Sequence, residues 1–265
     1  MNAPIHGVGA LLRQWRQRRR LSQLDLACEA DISTRHLSFM ETGRARPSRE
    51  MLLRLAEQLE IPLRERNRLL TAAGYAPVFS QHGLADPALQ AARSAIDQLL
   101  KAHEPYPALA LDRHWNLLAA NACIAPFLSD ISPQLLGPPL NVLRVSLHPQ
   151  GLAPRIVNLG QWRAYLLNRL RSDIDSSADA QLQTLLEELE RYPAPACDPQ
   201  PSADRVLMPL QFRSDLGVIN LISTTTVFGT PTDVTLAELA LETFFPADPE
   251  SAERLRDLTQ TQTQP

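Results

Sequence analysis

The sequence of 265 residues predicts two domains of different class, an all-α unit of five short helices over residues 8–75 and an α+β unit over residues 88–258. Three observations lead there. Apolar residues recur at helical spacing in short, capped runs as far as Gly74. Residues 76–87, APVFSQHGLADP, lose that periodicity and read as a linker. Late in the chain, VLMPLQF, VINLISTTTVF and LALETFF are rich in β-branched and aromatic residues, as strands are. The length suits one or two domains at roughly 100–200 residues each.

In the first domain, helix 1 spans residues 8–19, with Leu11, Leu12 and Trp15 at helical spacing beside a basic face of Arg13, Arg16, Arg18 and Arg20. Ser22 is placed to cap helix 2, whose Leu26, Ala27 and Ala30 point inward. Ser33 is a second N-cap and opens helix 3, TRHLSFMET, which ends at Gly43, where a positive φ is expected. Ser48 caps helix 4, with Met51, Leu52, Leu55 and Leu59 on one side. Pro62 starts helix 5, which stops at Gly74.

Helices 2 and 3 carry the functional signal. Two helices joined by a tight turn need a small residue where they cross, here Ala27, and apolar anchors on the buried side of the second, here Leu37 and Met40. Ile32 fills the corner. Thr34, Arg35, His36 and Ser38 leave the other face of helix 3 polar, near the N-terminal end that enters a major groove in helix-turn-helix proteins. Charge segregates the same way. Residues 1–75 hold 13 arginines against 8 acidic residues, a net +5, and the remainder of the chain carries −8. A basic head on an acidic body implies a polyanion partner for the head. The only lysine is Lys101, so all positive charge in the head is arginine, whose planar fork suits phosphates and base edges.

On SQLDLA at 22–27, ISTRHLSFMETG at 32–43 and Pro47-Ser48, residues 11–75 resemble the XRE family of helix-turn-helix regulators, with its Cro/repressor-like fold. That resemblance implies double-stranded DNA as the partner. It assigns DNA contacts to Gln23, Ser33, Thr34, Arg35, His36 and Ser38, and pairs Glu41 with Arg16. Arg44 and Arg46, with Arg16 and Arg49, are expected on phosphates. The turn position often held by Gly in the family is Asp31, one of the few non-glycine residues that enter the left-handed region with modest strain. One recognition helix reads a short half-site, so a homodimer on a palindromic operator is expected. A surface role for His36 is the plain alternative; Phe39, partly exposed on helix 3, is expected to pack between domains or against helix 4, the alternative being contact with a thymine methyl.

The second domain begins with a helix over residues 87–102. Strands follow at 108–111 and 115–119 around a turn at Asp112-Arg113, then a helix from Asn121 to Leu128. Residues 130–140 hold three prolines and are expected to be irregular. Helices are expected at 141–147, 161–171 and 180–190, a surface loop at 193–201, then three strands, Pro209 placing the first at an edge, and a closing helix at 249–258. The tail, 259–265, is expected to be disordered. Strand pair, helical block and three strands make an α+β pattern. The segment LDRHWNLLAANA is similar to the opening hairpin of PAS domains, so the domain is expected to be PAS-like with a helical insertion. Residues 111–122, LHPQGLAPRIVN at 147–158 and ELALETFFPADP at 238–249 resemble the MmyB-like ligand-binding domain found on many XRE regulators.

That second resemblance implies a small, largely apolar ligand, fatty acids being a known type. Small-molecule pockets are mostly apolar with a few placed polar groups. Trp115, Phe127, Trp162, Phe212 and Phe228 are aromatic candidates to line one, each equally at home in a core. Asn121, His148 and Arg155 lie among apolar residues and are candidates to orient a carboxylate, Arg155 foremost because its fork binds carboxylates bidentately. The bland alternatives are an Arg155 paired with a local acid and an Asn121 that caps its helix. A ligand-independent regulator, whose second domain only dimerises or binds a partner protein, stays open at this point.

Several classes find no support. No apolar run approaches the roughly 18 residues of a membrane span, and residues 1–10 lack a signal-peptide pattern, so a cytoplasmic protein is expected. Cys28, Cys123 and Cys197 are dispersed and odd in number, which argues against a disulfide framework or zinc site; buried or half-buried thiols are expected. The six histidines show no metal spacing. No nucleophile elbow, phosphate loop or dinucleotide fingerprint is present, so neither a cofactor nor enzymatic activity is expected.

Overall fold

The computed structural model describes residues 7–193, 195 and 207–260. The expected proline-rich loop at 193–201, Cys197 and most of the tail fall largely outside them. The chain forms two compact units. The first runs to Gln81 and includes Asp175–Ala178 and Pro231–Ala237; the second takes the rest.

The first unit begins with α1 (Val8–Arg18), α2 (Gln23–Glu29), α3 (Thr34–Glu41), α4 (Arg49–Gln58) and α5 (Leu63–Ala72). Each predicted serine cap is present. Ser22 Oγ accepts from Asp25 N while Asp25 returns the bond to Ser22 N, a full capping box. Ser33 accepts from His36 N and Ser48 from Met51 N. Such caps contribute about 1 kcal/mol each by satisfying N–H groups that a helix start leaves orphaned. Asp31 takes φ 52° at the turn between α2 and α3, the conformation its position requires. Gly43 and Gly74 end α3 and α5 at φ 76° and 81°.

The core of this unit is continuous: Leu12, Trp15, Leu26, Leu37, Met40, Leu52, Leu55 and Leu59 are all buried. Each fully buried leucine is worth roughly 1.5–3 kcal/mol of transfer free energy. Gly9 lets α1 approach the end of α3; a Cβ there would lie 2.4 Å from the Met40 carbonyl oxygen. Asn67 pins the chain beyond α5, its Oδ1 accepting from Val78 N and Phe79 N and its Nδ2 donating to Phe79 O, so the start of the expected linker is folded back.

The second unit carries α6 (Gln90–Ala102), β1 (Ala108–Leu111), β2 (Leu117–Ala120), α7 (Ala125–Leu128), α8 (Pro133–Leu136), α9 (Val142–Leu147), α10 (Leu159–Ser177) and α11 (Ala180–Glu190). Then come β3 (Leu210–Ser214), β4 (Gly217–Val227), α12 (Val234–Ala237), β5 (Ala240–Pro246) and α13 (Pro249–Gln260). Asp175–Ser177 at the end of α10, and α12, belong to the first unit. The five strands form one antiparallel sheet in the order β2-β1-β5-β4-β3. This is the PAS-like α+β arrangement with a helical block between β2 and β3, and β3 is an edge strand as Pro209 implied.

The strand pleat sorts side chains between two cores. Leu109 pairs with Glu242, and Ser223 with Phe244, and these face α7, α9, α10 and α11. The alternate residues Ala108, Ala110 and Leu241 turn to the other face and pack with Ile96 and Leu100 of α6.

The structure corrects several details. A short helix, α8, forms inside the proline-containing stretch, its proline sitting in the first turn where no N–H is needed. α10 is longer at both ends than expected. Trp115 lies outside the strand, at φ 65° in a turn built on Asp112, whose carboxylate accepts from His114 N, Asn116 N and Asn116 Nδ2. Cys28 is exposed rather than buried, because it falls on the outer side of α2; Cys123 is buried.

Candidate functional site

Two regions of chemistry emerge, one on each unit. On the first, the outer side of α3 presents Arg35 and His36 exposed, with Thr34 and Ser38 half-buried. Arg35 and Arg44 lie over the ring of Phe39, their guanidinium carbons 5.3 and 5.9 Å from its centroid. Phe39 thus carries two arginines. Ser33 is engaged by its cap, and Arg46 donates to the Ala73 carbonyl at 2.6 Å while lying over Tyr75.

Behind α3 lies an ion pair. Arg16 donates from Nε and Nη2 to the two oxygens of Glu41 at 2.6 and 2.9 Å, and from Nη1 to the Leu21 carbonyl. Gln23 Nε2 adds a third donor to Glu41 at 2.8 Å. The Glu41 side chain is only 2% exposed. Burial alone would raise its pKa, but Arg16 and Gln23 outweigh that and hold the carboxyl below its usual range. Arg16 is consumed by this pair, and so is unsuited to the phosphate contact expected of it.

On the second unit, a cavity of about 120 Å³ opens between the sheet and the helical block. Trp162, Tyr165, Leu166 and Arg169 of α10 form one wall at spacings of three and four residues, the stripe a helix turns to one side. Leu109, Leu221, Ser223, Glu242 and Phe244 form the sheet wall, all on one pleat face. Trp115, Phe127 and Val145 help to close it. The lining is overwhelmingly apolar, its polar members being Ser146, Tyr165, Ser223, Arg169 and Glu242.

The charged pair sits together. Arg169 Nη2 bonds to Glu242 Oε1, which also accepts from Thr225 Oγ1 at 2.8 Å. The Arg169 guanidinium lies 4.5 Å from the Trp115 ring centroid, and the Trp115 indole donates to Asp173 at 3.0 Å. Burial pushes the Asp173 carboxyl up, against the pull of the Trp115 hydrogen bond and the Arg169 charge. Burial would lower the Arg169 pKa, yet its bond to Glu242 more than offsets this.

Of the ligand candidates read from sequence, Trp162 lines the cavity, its Nε1 donating to Ser146 Oγ at 3.0 Å. Asn121, His148 and Arg155 are not among the lining residues. Asn121 accepts from Ala108 N and donates to the Leu100 and Tyr106 carbonyls, stapling α6 to β1 without capping a helix. His148 Nδ1 accepts from Gln150 N, and its ring meets Tyr192 edge-on. Arg155 bonds to Asp130 and the Arg213 carbonyl and stacks on Phe212. Each makes at least one local hydrogen bond. Among the aromatic candidates, Trp115 and Phe127 line the cavity, Phe212 is buried in the surrounding core, and Phe228 packs on the opposite face.

Sequence reasoning missed Arg169 and Glu242. The signals were present: Arg169 continues the stripe of Trp162 and Tyr165, and Glu242 is in phase with Phe244 inside an otherwise apolar strand.

Residues 92–258 match the MmyB-like transcription regulator ligand binding domain, which is more than half of the chain. The chain belongs to the MmyB-like transcription regulators. Residues 12–66 match a helix-turn-helix family, so the MmyB-like domain is joined to a DNA-binding one. Among solved structures, the chain is similar to the clp gene regulator ClgR from Corynebacterium glutamicum. The two are 25% identical over 39% of this chain and 97% of that one, with a TM-score of 0.23. Comparison with curated proteins gives no match. The cavity lies wholly within the residues that match the MmyB-like domain. No helix among the described residues is long and apolar enough to cross a membrane.

Proposed function

We propose that this regulator reads a palindromic operator as a homodimer through α3, and that a small, largely apolar molecule entering the cavity of the second unit sets its DNA affinity. The observation that carries the ligand reading is the cavity itself: an apolar space ringed by aromatics with its polar groups confined to a few positions, as small-molecule sites are built. A domain that only dimerises has no need of such a space. A ligand acts by binding one arrangement of the dimer better than another, and DNA must then alter ligand affinity by the same factor. Arg35, with His36, Thr34 and Ser38, is the base-reading set. Gln23, Ser33, Arg44 and Arg46 position the backbone. Fatty acids, the ligand type implied by the family resemblance, supply the first panel.

Mass spectrometry of the organic extract of natively purified protein tests the ligand reading. A stoichiometric apolar molecule supports it; an empty extract with no thermal shift across the panel favours the dimerisation-only reading. For the DNA reading, Arg35→Ala should cost roughly 1–3 kcal/mol at one base pair, and Arg44→Ala should weaken all sequences alike. Equal losses for Arg35→Ala on matched and mismatched operators count against base reading.

A further inference from the structure

Two stretches of the later chain are built into the first unit. They are Asp175–Ala178, which begins in the last turn of α10, and Pro231–Ala237, which contains α12. Ala178 packs against the leucine core of that unit, and Val234 N donates to the Ser80 carbonyl at 2.8 Å. The residues at which the chain returns to the second unit, Asp179 and Glu238, are both acidic. One side chain of the second unit ties them together. Arg113 Nη1 lies 3.2 Å from Asp179 Oδ2 and 3.6 Å from Glu238 Oε1. His114 Nε2 lies 2.9 Å from the same Asp179 oxygen. Arg113 and His114 share a tight turn with Trp115, whose φ of 65° is unfavourable for a bulky side chain and is held by its surroundings. The Trp115 N–H donates to the Asp112 carbonyl, and its own carbonyl accepts from Val142 N at 2.9 Å. The His114 carbonyl accepts from Asn141 Nδ2 at 2.8 Å. The Trp115 side chain lines the cavity. Three consecutive residues thus join a cavity wall to a clamp on both return points.

We infer that this turn, with Arg113 as its positioning residue, couples occupancy of the cavity to the DNA-binding unit. The inference rests on the reading of the cavity as a ligand site that sets DNA affinity. A molecule in the cavity meets the Trp115 ring, and a short, hydrogen-bonded turn passes a displacement of that ring to Arg113 two residues away. Packed elements answer such shifts by moving between discrete arrangements, not by deforming gradually. Asp179 and Glu238 then move with Arg113, and the stretches that end at them are part of the fold that carries α3. α10 also runs from the cavity wall to Asp175 and is the competing route. Adjacency alone does not establish coupling, so the two routes have to be separated by measurement. Removing the Arg113 side chain leaves α10 intact and does so.

The test uses the full chain stripped of bound lipid, dodecanoate as the probe, and a fluorescent duplex selected by the full chain from a random library. Anisotropy gives DNA affinity with and without saturating dodecanoate, and calorimetry gives dodecanoate affinity without DNA. In the wild type, dodecanoate is expected to change DNA affinity about tenfold, a typical coupling between two sites. In Arg113→Ala that change is expected to shrink below about twofold. Dodecanoate affinity is expected to hold, because Arg113 does not line the cavity. Arg113→Lys keeps a cation between the two carboxylates and is expected to restore at least about threefold. Should Arg113→Ala fail to fold, Glu238→Gln removes one anion and no helix cap, and is expected to cut the change to about threefold. A folded R113A protein, or in its place a folded E238Q protein, that keeps the full change overturns the inference. It assigns the coupling to α10 and leaves the ligand reading standing. A matching loss of dodecanoate affinity overturns the inference as well, since the role of Arg113 is then in building the cavity. A wild type whose DNA affinity dodecanoate leaves unchanged overturns both the inference and the reading beneath it.

Discussion

In the first unit the guanidinium of Arg16 meets Glu41; in the second, Arg169 meets Glu242. The residue types are the same and both pairs are largely out of water, yet their surroundings differ. Around Arg16–Glu41, Leu21 and Gln23 complete the hydrogen bonding and close-packed leucines fill the space. Around Arg169–Glu242, Thr225 supplies one bond, the Trp115 ring covers one face, and the rest borders a void. A buried ion pair by itself is weak evidence for either stability or function. What separates the two is that one is enclosed by packed side chains and the other lines a cavity.

The largest expected effect breaks the tighter pair. Glu41→Ala strands a buried Arg16 and should destabilise the protein by about 3–5 kcal/mol in urea unfolding. The pH dependence carries the same sign of argument. Glu41 titrates below its usual range when folded, so its contribution is complete above the unfolded value of about 4.3 and drains away as pH falls toward the folded one. The slope of stability against pH on the acid side should flatten in Glu41→Gln. Glu242→Ala should cost less, about 1–2 kcal/mol, because water entering the cavity can solvate the released Arg169. Equal losses for the two alanine variants would erase the distinction drawn between the pairs. The smallest effect sharpens it. Gln23→Ala removes only the third donor to Glu41 and should cost about 0.5–1.5 kcal/mol in the same unfolding assay. A loss near zero would mean that two guanidinium bonds suffice.

Legibility in the sequence follows the range of the interactions. Caps at Ser22, Ser33 and Ser48, the left-handed Asp31, the terminating glycines and the edge position of β3 all depend on residues a few positions apart, and the sequence shows them. The Arg16–Glu41 pair spans helices, and it was reachable only through a family resemblance. The cavity was hardest, because its walls come from α7, α9, α10 and all five strands, whose register no local pattern states. Arg155, Asn121 and His148 drew attention for their chemistry, but none of them is among the residues that line the cavity. Arg169 and Glu242 looked ordinary on a helix and a strand. They become informative only when the pleat and the helix stripe turn them toward the same space.

Phe39 has a consequence for the unit that carries α3. A long arginine side chain in water samples many rotamers, and fixing it on a partner costs up to about 2 kcal/mol of entropy. With Arg35 and Arg44 both lying over one aromatic ring, part of that search is finished when the protein folds. The two arginines meet whatever they bind as a short, stiffened fork, and replacing the ring with an aliphatic side chain would leave both charges in place while loosening their aim.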